Sequence, residues 1–293
     1  MMKIVLIGGT SLLGRKLFYS TPRLYHVIPS HFQHPLDPTS VELDITKINQ
    51  VIKLVKSTRP NIIIHASSIG DVDYCENHQK EAWRVNVEGT QNIIKAAQLV
   101  DARCVFFSSN AVFDGKAAPY DEQSTTTPIN FYGQTKVAAE KIVTNYFPKA
   151  TIFRLTTMYG WNDSRERQNP ASWLIERLEK KLITPVVTDI FNNHLWVGQA
   201  AQAVWKAIEK SEWGHVFHIA GKNCLSRYDF AVELADVFKL NKQLLKPVTS
   251  DYFSRLTPRA SNTCFSTHKM KRVLGIVPLS LKKGLEIMKK ESK

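Results

Sequence analysis

The N-terminus is the part of this sequence that most constrains the fold. A β-branched apolar run at residues 3–7 leads directly into a glycine-rich turn, and a helical pattern starts at Leu12. Glycine in such a turn lets the backbone approach a pyrophosphate, which the free N–H groups and the dipole of the helix N-terminus then stabilise. The turn predicts a dinucleotide site built from Gly8, Thr10, Ser11, Leu12, Leu13 and Gly14.

Ser11 stands where a G-x-x-G-x-x-G pattern would place its middle glycine. A serine at a helix start either caps the helix or donates its hydroxyl to a phosphate, and the sequence leaves both roles open. A glycine-rich turn that binds no ligand is the competing interpretation of the whole motif.

Short strand-like runs alternate with helical patterns through most of the chain. The predicted strands lie at residues 3–7, 25–28, 61–65, 103–107, 151–155 and 215–219, and the predicted helices at 12–20, 46–57, 81–99, 132–146 and 199–210. Residues 62–64 are all isoleucine, as in a strand covered on both faces. The pattern predicts an α/β fold with a doubly wound parallel sheet of the Rossmann type.

Two stretches interrupt this alternation and predict a second unit. Residues 1–160 are expected to form the dinucleotide-binding domain, with residues 197–220 returning to it. Residues 161–196 and 221–293, which carry aromatic and arginine side chains, are expected to form a smaller, interleaved C-terminal lobe that binds substrate.

Composition and charge exclude several classes of protein. The 293 residues are 43% hydrophobic and carry a net charge of +13, which excludes a disordered or fibrous chain and favours an anionic partner. The basic residues are spread along the chain, with a mild cluster at Lys282, Lys283, Lys289, Lys290 and Lys293, so no nucleic-acid partner is expected. No apolar run suits a signal peptide or a membrane span, and a cytoplasmic location is expected.

The cysteines and histidines show no ligand spacing. Cys75, Cys104, Cys224 and Cys264 lie far apart without a C-x-x-C pair, and they are expected to be reduced thiols. The histidines form no H-E-x-x-H or similar pattern, so no metal site is expected.

The end of the second predicted strand bears on the choice of cofactor. NAD-binding folds usually place Asp or Glu there, whereas this strand ends in Ser30 and His31. NADPH is therefore favoured over NADH, with Arg15 or His31 near the 2′-phosphate. Asp44 and Ile45 are predicted to line the adenine pocket, although Asp44 equally suits the N-terminal cap of the next helix.

A tyrosine and a lysine supply the predicted chemistry. Tyr132 and Lys136 lie at i and i+4, on one face of a predicted helix. A neighbouring ammonium favours the phenolate, so Lys136 is expected to lower the pKa of Tyr132 and to reach the nicotinamide ribose. Such a pair also arises by chance, so the interpretation depends on further residues.

Further residues close two other predicted strands. Ser109 ends the strand at 103–107 and could hydrogen-bond a substrate carbonyl, or it could only cap the turn at Asn110. The small side chains of Ala66, Ser67 and Ser68 leave room for the nicotinamide, and they follow His65, which is expected to be a core residue.

Together these motifs resemble the extended short-chain dehydrogenase/reductase family. The likeness rests on the stretches "NIIIHASSIGDVDYCE", "FDGKAAPYDEQSTTTPINFYGQTKVAAEK", "FRLTTMYG" and "FHIAGKNCLSRYDFAVELA", which cover nearly the whole chain in the order of the family. It implies Ser109, Tyr132 and Lys136 as catalytic residues. It also implies Ser109, Asn110 and Arg259 as substrate contacts, with a surface salt bridge as the other explanation of Arg259.

The resemblance implies reduction, by NADPH or NADH, of a 4-keto-6-deoxy sugar attached to a nucleoside diphosphate. Departures at Asn110, Thr157, His194, Leu195 and Ala260 leave the sugar open. A nucleotide-sugar epimerase or dehydratase, and a non-catalytic NADP-binding regulatory subunit like that of methionine adenosyltransferase, are the alternatives. The expected partners are a nucleotide sugar and a second copy of the chain in a homodimer.

Overall fold

A computed structural model describes residues 1–253 and 257–291, so Lys293 of the basic cluster lies outside the described residues. The strands are β1 (Met2–Ile7), β2 (Tyr25–His31), β3 (Val41–Glu42), β4 (Ile62–His65), β5 (Arg103–Ser109), β6 (Ala150–Leu155), β7 (Met158–Tyr159), β8 (Thr184–Val187), β9 (Phe191–Asn192), β10 (Leu195–Trp196), β11 (Val216–Ile219), β12 (Leu225–Ser226) and β13 (Leu245–Val248). The helices are α1 (Leu12–Tyr19), α2 (Ile48–Thr58), α3 (Val72–Asn77), α4 (Gln79–Trp83), α5 (Gly89–Leu99), α6 (Phe131–Tyr146), α7 (Pro170–Glu179), α8 (Val197–Glu209), α9 (Arg227–Phe238) and α10 (Leu281–Glu291).

The main sheet is a seven-stranded parallel sheet within the described residues. Its order is β11-β6-β5-β4-β1-β2-β3, and every neighbouring pair runs parallel. Strands β2 and β3 extend the sheet on one side of β1, and β4, β5, β6 and β11 extend it on the other, so the direction of strand addition reverses beside β1. The predicted doubly wound Rossmann sheet is confirmed, and the reversal point is where such folds bind ligands.

Alternate side chains of β1 enter two separate hydrophobic cores. Ile4 and Leu6 pack with α1 and α8, while Val5 and Ile7 pack with α2 and α5. Each such side chain is fully buried, which contributes about 2 kcal/mol relative to exposure in water. Burial on both faces explains why the strands lack an alternating polar pattern.

The predicted helices appear with small shifts at their ends. The largest difference lies in the pattern at residues 81–99, which forms α4, a π-helical turn at Arg84–Glu88, and then α5. The side chain of Asn86 leaves this turn and bonds the backbone of Ile69 and the hydroxyl of Thr135, which ties the turn to α6.

A smaller apolar cluster forms beside the main sheet. It joins α7, α9 and α10 through buried side chains that include Leu174, Phe230, Leu234 and Leu285. Three short strand pairs, β8 with β13, β9 with β12, and β7 with β10, lie with these helices. The division into a dinucleotide domain and a substrate lobe stays a prediction, and it assigns these elements to the lobe except for β7, which falls within residues 1–160.

The prediction that all four cysteines are free thiols is wrong. Cys224 and Cys264 form a disulfide, with their Cα atoms 5.7 Å apart, while Cys75 and Cys104 are free and buried. The two bonded cysteines are 40 residues apart in sequence, and only the packing of their segments against β9 brings them together. Sequence spacing therefore carried no sign of the bond.

Among the described helices, none combines the length and the apolar composition that a bilayer span needs.

Candidate active site

One large cavity opens at the carboxyl ends of the central strands. Its volume is about 1250 Å³. Gly8 lines it just after β1, Ala66 after β4, Ser109 at the end of β5 and Thr156 after β6. The opposite wall comes from residues beyond 160, including Leu174, Val186, Ile190, Asn192, His194, Arg227, Phe230 and Thr263. A cavity between these two walls can hold a ligand at the sheet edge and a second ligand beside it.

Close backbone contacts explain the two outer glycines of the turn. Gly8 has a φ of +80°, and a Cβ there would lie 2.7 Å from the backbone nitrogen of Ser67. A Cβ on Gly14 would lie 2.2 Å from the carbonyl oxygen of Gly8. Gly14 thus brings α1 onto the turn and does not itself line the cavity, whereas Gly8, Thr10, Ser11, Leu12 and Leu13 do.

Ser11 is the N-cap of α1. Its hydroxyl oxygen accepts the Gly14 backbone N–H at 3.1 Å and donates to the Gly8 carbonyl at 2.8 Å. The serine that replaces a glycine therefore fixes both the turn and the start of the helix. Of its two predicted roles, the structure shows the cap.

The part of the cavity where the adenine is predicted to bind contains some of the predicted residues. His31 and Ile45 line it, and the Nδ1 atom of His31 lies 3.0 Å from the hydroxyl of Ser40. Asp44 is not a lining residue, because its carboxylate accepts the backbone N–H and the hydroxyl of Thr46.

Arg15, the other side chain predicted near a 2′-phosphate, points elsewhere. Its guanidinium lies 3.3 Å from a carboxylate oxygen of Asp163 and 3.9 Å from one of Glu166. It does not line the cavity. Ser30, Phe32 and Gln33 are the lining residues next to His31, and sequence reasoning did not single out the latter two.

The end of β4 is lined by small residues, as predicted. Ala66, Ser67 and Ser68 face the cavity. His65 is buried, and burial lowers its pKa to about 3 while its Nε2 lies 3.0 Å from the hydroxyl of Thr90. It is a neutral core histidine, the role that the sequence favoured.

Helix α6 carries Tyr132 and Lys136 to the cavity beside Ser109. The cap of α6 is Asn130, whose side chain accepts the Gly133 N–H at 2.9 Å. A Cβ on Gly133 would lie 2.2 Å from the carbonyl oxygen of Ala111, so glycine permits the helix to start against the turn that follows β5. All three predicted catalytic residues line the same cavity.

The electrostatics of this set differ from the sequence expectation. Burial raises the pKa of Tyr132 to about 12, and the nearby Ser109 hydroxyl offsets only part of this. Burial also lowers the pKa of Lys136 to about 8. The expectation that Lys136 lowers the pKa of Tyr132 is therefore wrong here, because burial disfavours the phenolate and Lys136 is not among the groups that shift this pKa.

Asn110 links the two walls of the cavity, and Ser109 caps the turn beside it. The Ser109 hydroxyl accepts the Ala111 N–H at 3.1 Å, and the Asn110 amide donates to the Thr263 hydroxyl at 2.6 Å. Ser109 is thus a turn cap, as the alternative had it, and also faces the cavity. Asn110, one of the departures from the family, hydrogen-bonds without adding negative charge.

Arg259 lines the cavity and also forms an ion pair. Its guanidinium donates two hydrogen bonds of 2.7 Å to the carboxylate of Asp73, which is one-third exposed. This pair lowers the pKa of Asp73 to about 2. The two sequence interpretations, a substrate contact and a salt bridge, therefore describe one side chain whose charge is already partnered.

Sequence reasoning missed Asn192 and Arg227 of the opposite wall, and it named His194 only as a departure from the family. Asn192 Oδ1 and His194 Nδ1 are buried without a partner among the described residues, and Arg227 lies beside them. His194 stacks on Phe230 with ring centres 4.1 Å apart. None of these has a recognisable motif, and only the run of arginine and aromatic residues in this region could have pointed to them. Within residues 1–253 and 257–291, no group of three or more His, Cys, Asp or Glu side chains could hold a metal ion.

Comparison with known proteins supports the family seen in the sequence. The model of the RmlD substrate binding domain family matches residues 2–293. The chain is 28% identical, over 98% of both chains, to a dTDP-4-dehydrorhamnose reductase of Aggregatibacter actinomycetemcomitans. It is 27% identical to methionine adenosyltransferase 2 subunit beta of Bos taurus, over 84% of this chain and 75% of that one.

A solved structure is similar along the whole chain. The dTDP-4-dehydrorhamnose reductase of Bacillus anthracis, in complex with NADP, superposes with a TM-score of 0.88 at 28% identity and covers 100% of both chains. The likeness to extended short-chain reductases that the sequence indicated is confirmed.

Proposed function

Because the chain belongs to the RmlD substrate binding domain family, we propose that it is an NADPH-dependent reductase of a 4-keto-6-deoxy sugar linked to a nucleoside diphosphate. One observation carries the proposal: Ser109, Tyr132 and Lys136 line the same cavity as the glycine turn at Gly8. The names of the reductase relatives support dTDP-4-dehydrorhamnose as the substrate.

The cofactor site fits a nicotinamide dinucleotide. No side chain fills the turn at Gly8, and the N-terminus of α1 presents free N–H groups next to it. NADPH is preferred over NADH because the end of β2 offers Ser30 and His31 in place of a carboxylate. The NADP in the B. anthracis neighbour supports this choice. When bound, this cofactor supplies the hydride that reduces the keto carbon.

The chain itself supplies the proton and the orientation. Tyr132 stays protonated at neutral pH, since its pKa is about 12, and it donates its phenolic proton to the carbonyl oxygen as that oxygen becomes an alkoxide. The Ser109 hydroxyl hydrogen-bonds the same oxygen and shares its negative charge. Lys136 holds a positive charge beside the phenolate that Tyr132 becomes, and solvent returns the proton to Tyr132.

The test is direct reduction of the sugar. Purified protein mixed with NADPH and dTDP-4-dehydrorhamnose is expected to consume NADPH, as followed by the nicotinamide absorbance, and to do so more efficiently than with NADH. No consumption with this or other nucleotide-linked 4-keto sugars would refute the reductase.

The same experiment separates the alternatives. An epimerase or dehydratase would carry tightly bound cofactor and would change the sugar without net loss of NADPH. A regulatory subunit, the alternative to which the Bos taurus methionine adenosyltransferase 2 subunit beta is relevant, would reduce nothing and would alter the kinetics of a methionine adenosyltransferase added to it.

Location and assembly are separate proposals. We infer a cytoplasmic enzyme from the proposed use of NADPH and a nucleotide sugar, and we retain the homodimer that the sequence resemblance implied. The Cys224–Cys264 bond is of a kind that is rare in reducing compartments, so trapping thiols with an alkylating reagent at cell lysis tests the location. Analytical ultracentrifugation of the purified chain tests the dimer.

A further inference from the structure

Arg227 is the cation of the cavity wall that lacks a partner. Its side chain is partly buried and lines the cavity. Among residues 1–253 and 257–291, its guanidinium makes no ion pair and no hydrogen bond, and burial, together with the nearby charge of Arg259, lowers its pKa to about 10. An enclosed charge without a partner is costly, and a bound anion would remove that cost.

The backbone holds Arg227 firmly at this wall. Its N–H donates to the Ile190 carbonyl at 3.1 Å, and β12, just before it, pairs antiparallel with β9. Its neighbour Ser226 caps α9 by accepting the Asp229 N–H at 3.0 Å. Arg227 therefore starts α9 from a fixed position and needs no rearrangement of the backbone to meet a ligand.

Arg259 lies near the same part of the cavity, but its guanidinium is already hydrogen-bonded to Asp73. Both of its terminal nitrogens bond the carboxylate of Asp73, and one also donates to the Thr257 carbonyl. The charge of Asp73 reaches Arg227 only from a distance, without an ion pair. Among the described residues, the Arg227 guanidinium has all of its hydrogen-bond donors free, whereas three of the five N–H groups of Arg259 are already bonded and its charge is paired with Asp73.

We propose that Arg227, and not Arg259, is the main anchor for the diphosphate of the nucleotide-sugar substrate. The inference rests on the proposed function for the identity of the ligand. A guanidinium offers two parallel N–H groups to phosphate oxygens, a geometry that a lysine cannot reproduce. The unpartnered Asn192 Oδ1 and His194 Nδ1 lie on the same wall and provide hydrogen-bonding atoms for the rest of the ligand.

The experiment measures binding of thymidine 5′-diphosphate to protein saturated with NADP⁺, so that the cofactor site is filled. Calorimetric titration of Arg227→Gln is expected to give a Kd roughly 10- to 100-fold higher than that of the unaltered chain, the range for a lost charged hydrogen-bonding group. Arg227→Lys keeps the positive charge without the two parallel N–H donors, and it is expected to recover part of the affinity lost in Arg227→Gln. The Kd for NADPH stays within about twofold in both variants, since the proposed contact is to the other ligand.

Arg259→Lys is the matched control, because it keeps a cation that can pair with Asp73. It is expected to raise the Kd for thymidine 5′-diphosphate by less than about threefold, with circular dichroism confirming that each variant is folded. A Kd unchanged in Arg227→Gln, or a loss in Arg259→Lys as large as that in Arg227→Gln, overturns the inference. If binding depends on Arg227 but no keto sugar is reduced, the reductase proposal fails and the anion anchor stands.

Discussion

The ammonium of Lys136 lies 5.8 Å from the centre of the Tyr132 ring and donates to the Phe107 carbonyl at 3.1 Å. The hydrogen bond to the end of β5 fixes the lysine against the sheet, while the i, i+4 spacing keeps it beside the tyrosine. Both groups are largely cut off from water, which disfavours the charged form of each. Burial therefore raises the pKa of Tyr132 and lowers that of Lys136, and proton transfer at this site depends on both groups.

Replacing Tyr132 with phenylalanine removes only the phenolic hydroxyl. We expect kcat for sugar reduction to fall by roughly two to four decades, the usual contribution of a general acid. The Kd for NADPH should change by less than about threefold, because the ring and its packing remain. Stopped-flow kinetics and cofactor titration measure the two quantities, and a kcat close to that of the unaltered chain would exclude Tyr132 as the proton donor.

The pH profile of reduction should report Lys136. Tyr132, with a pKa of about 12, keeps its proton throughout the accessible range, whereas Lys136, with a pKa of about 8, loses its positive charge as the pH rises through that value. We therefore expect kcat/KM to fall above about pH 8. A profile that stays flat to strongly alkaline pH would show that the ammonium is not needed.

Glu140 provides a way to move that pH profile. Its carboxylate, which accepts two hydrogen bonds from Arg154, raises the pKa of Lys136 and so opposes part of the effect of burial. Glu140→Gln should shift the alkaline fall of kcat/KM to lower pH. Lys141→Met, which removes an exposed lysine on the same helix, serves as the control and should leave the profile in place.

Gly14 in the glycine turn and Gly70 in the cavity wall offer a comparison between a crowded and an open position. A Cβ on Gly14 would meet the Gly8 carbonyl oxygen at 2.2 Å, whereas nothing lies within 4 Å of a Cβ on Gly70. Gly14→Ala should therefore cost about 1–3 kcal/mol of unfolding free energy and weaken NADPH binding, while Gly70→Ala should leave both nearly unchanged. Urea unfolding and cofactor titration check this, and equal effects of the two substitutions would contradict it.

The sequence predicted the sheet because its signals are local. Each strand of the sheet except the short β3 is a β-branched or aromatic run, and each crossover helix has its own periodicity, so the parallel order follows from general rules of connection. Ser109, Tyr132 and Lys136 were found for the same reason, since each ends a strand or shares a helix face. Local patterns therefore predicted both the main sheet and the three residues that line the cavity wall proposed to be catalytic.

The opposite wall could not be predicted in this way. Arg227, Asn192 and Thr263 come from three segments that are distant in the sequence. Backbone pairing brings them together, with Thr263 N–H donating to the Phe191 carbonyl at 3.0 Å, and the Cys224–Cys264 disulfide links two of them. The pKa of Tyr132 was also wrongly predicted, because the extent of its burial depends on the packing of the whole cavity. Long-range contacts of this kind produce no periodic pattern in the amino-acid sequence.

The Cys224–Cys264 disulfide gives the last prediction, because it joins two of these three segments. Cys224 precedes β12 and Arg227, Cys264 follows Thr263, and β9 lies between the two cysteine-bearing segments, bonded to both. Replacing both cysteines with serine should lower the unfolding free energy by about 2–4 kcal/mol, because the unfolded chain is no longer constrained. It should also raise the Kd for thymidine 5′-diphosphate, since the segment that carries Arg227 loses its link to the one that carries Thr263.

Dithiothreitol should reproduce both effects in the unaltered chain and have no effect on the double variant. Denaturant unfolding measures the change in stability and calorimetry the change in Kd, each with and without the reductant. If dithiothreitol changes neither the unfolding midpoint nor the Kd of the unaltered chain, the bond supports neither stability nor the ligand site.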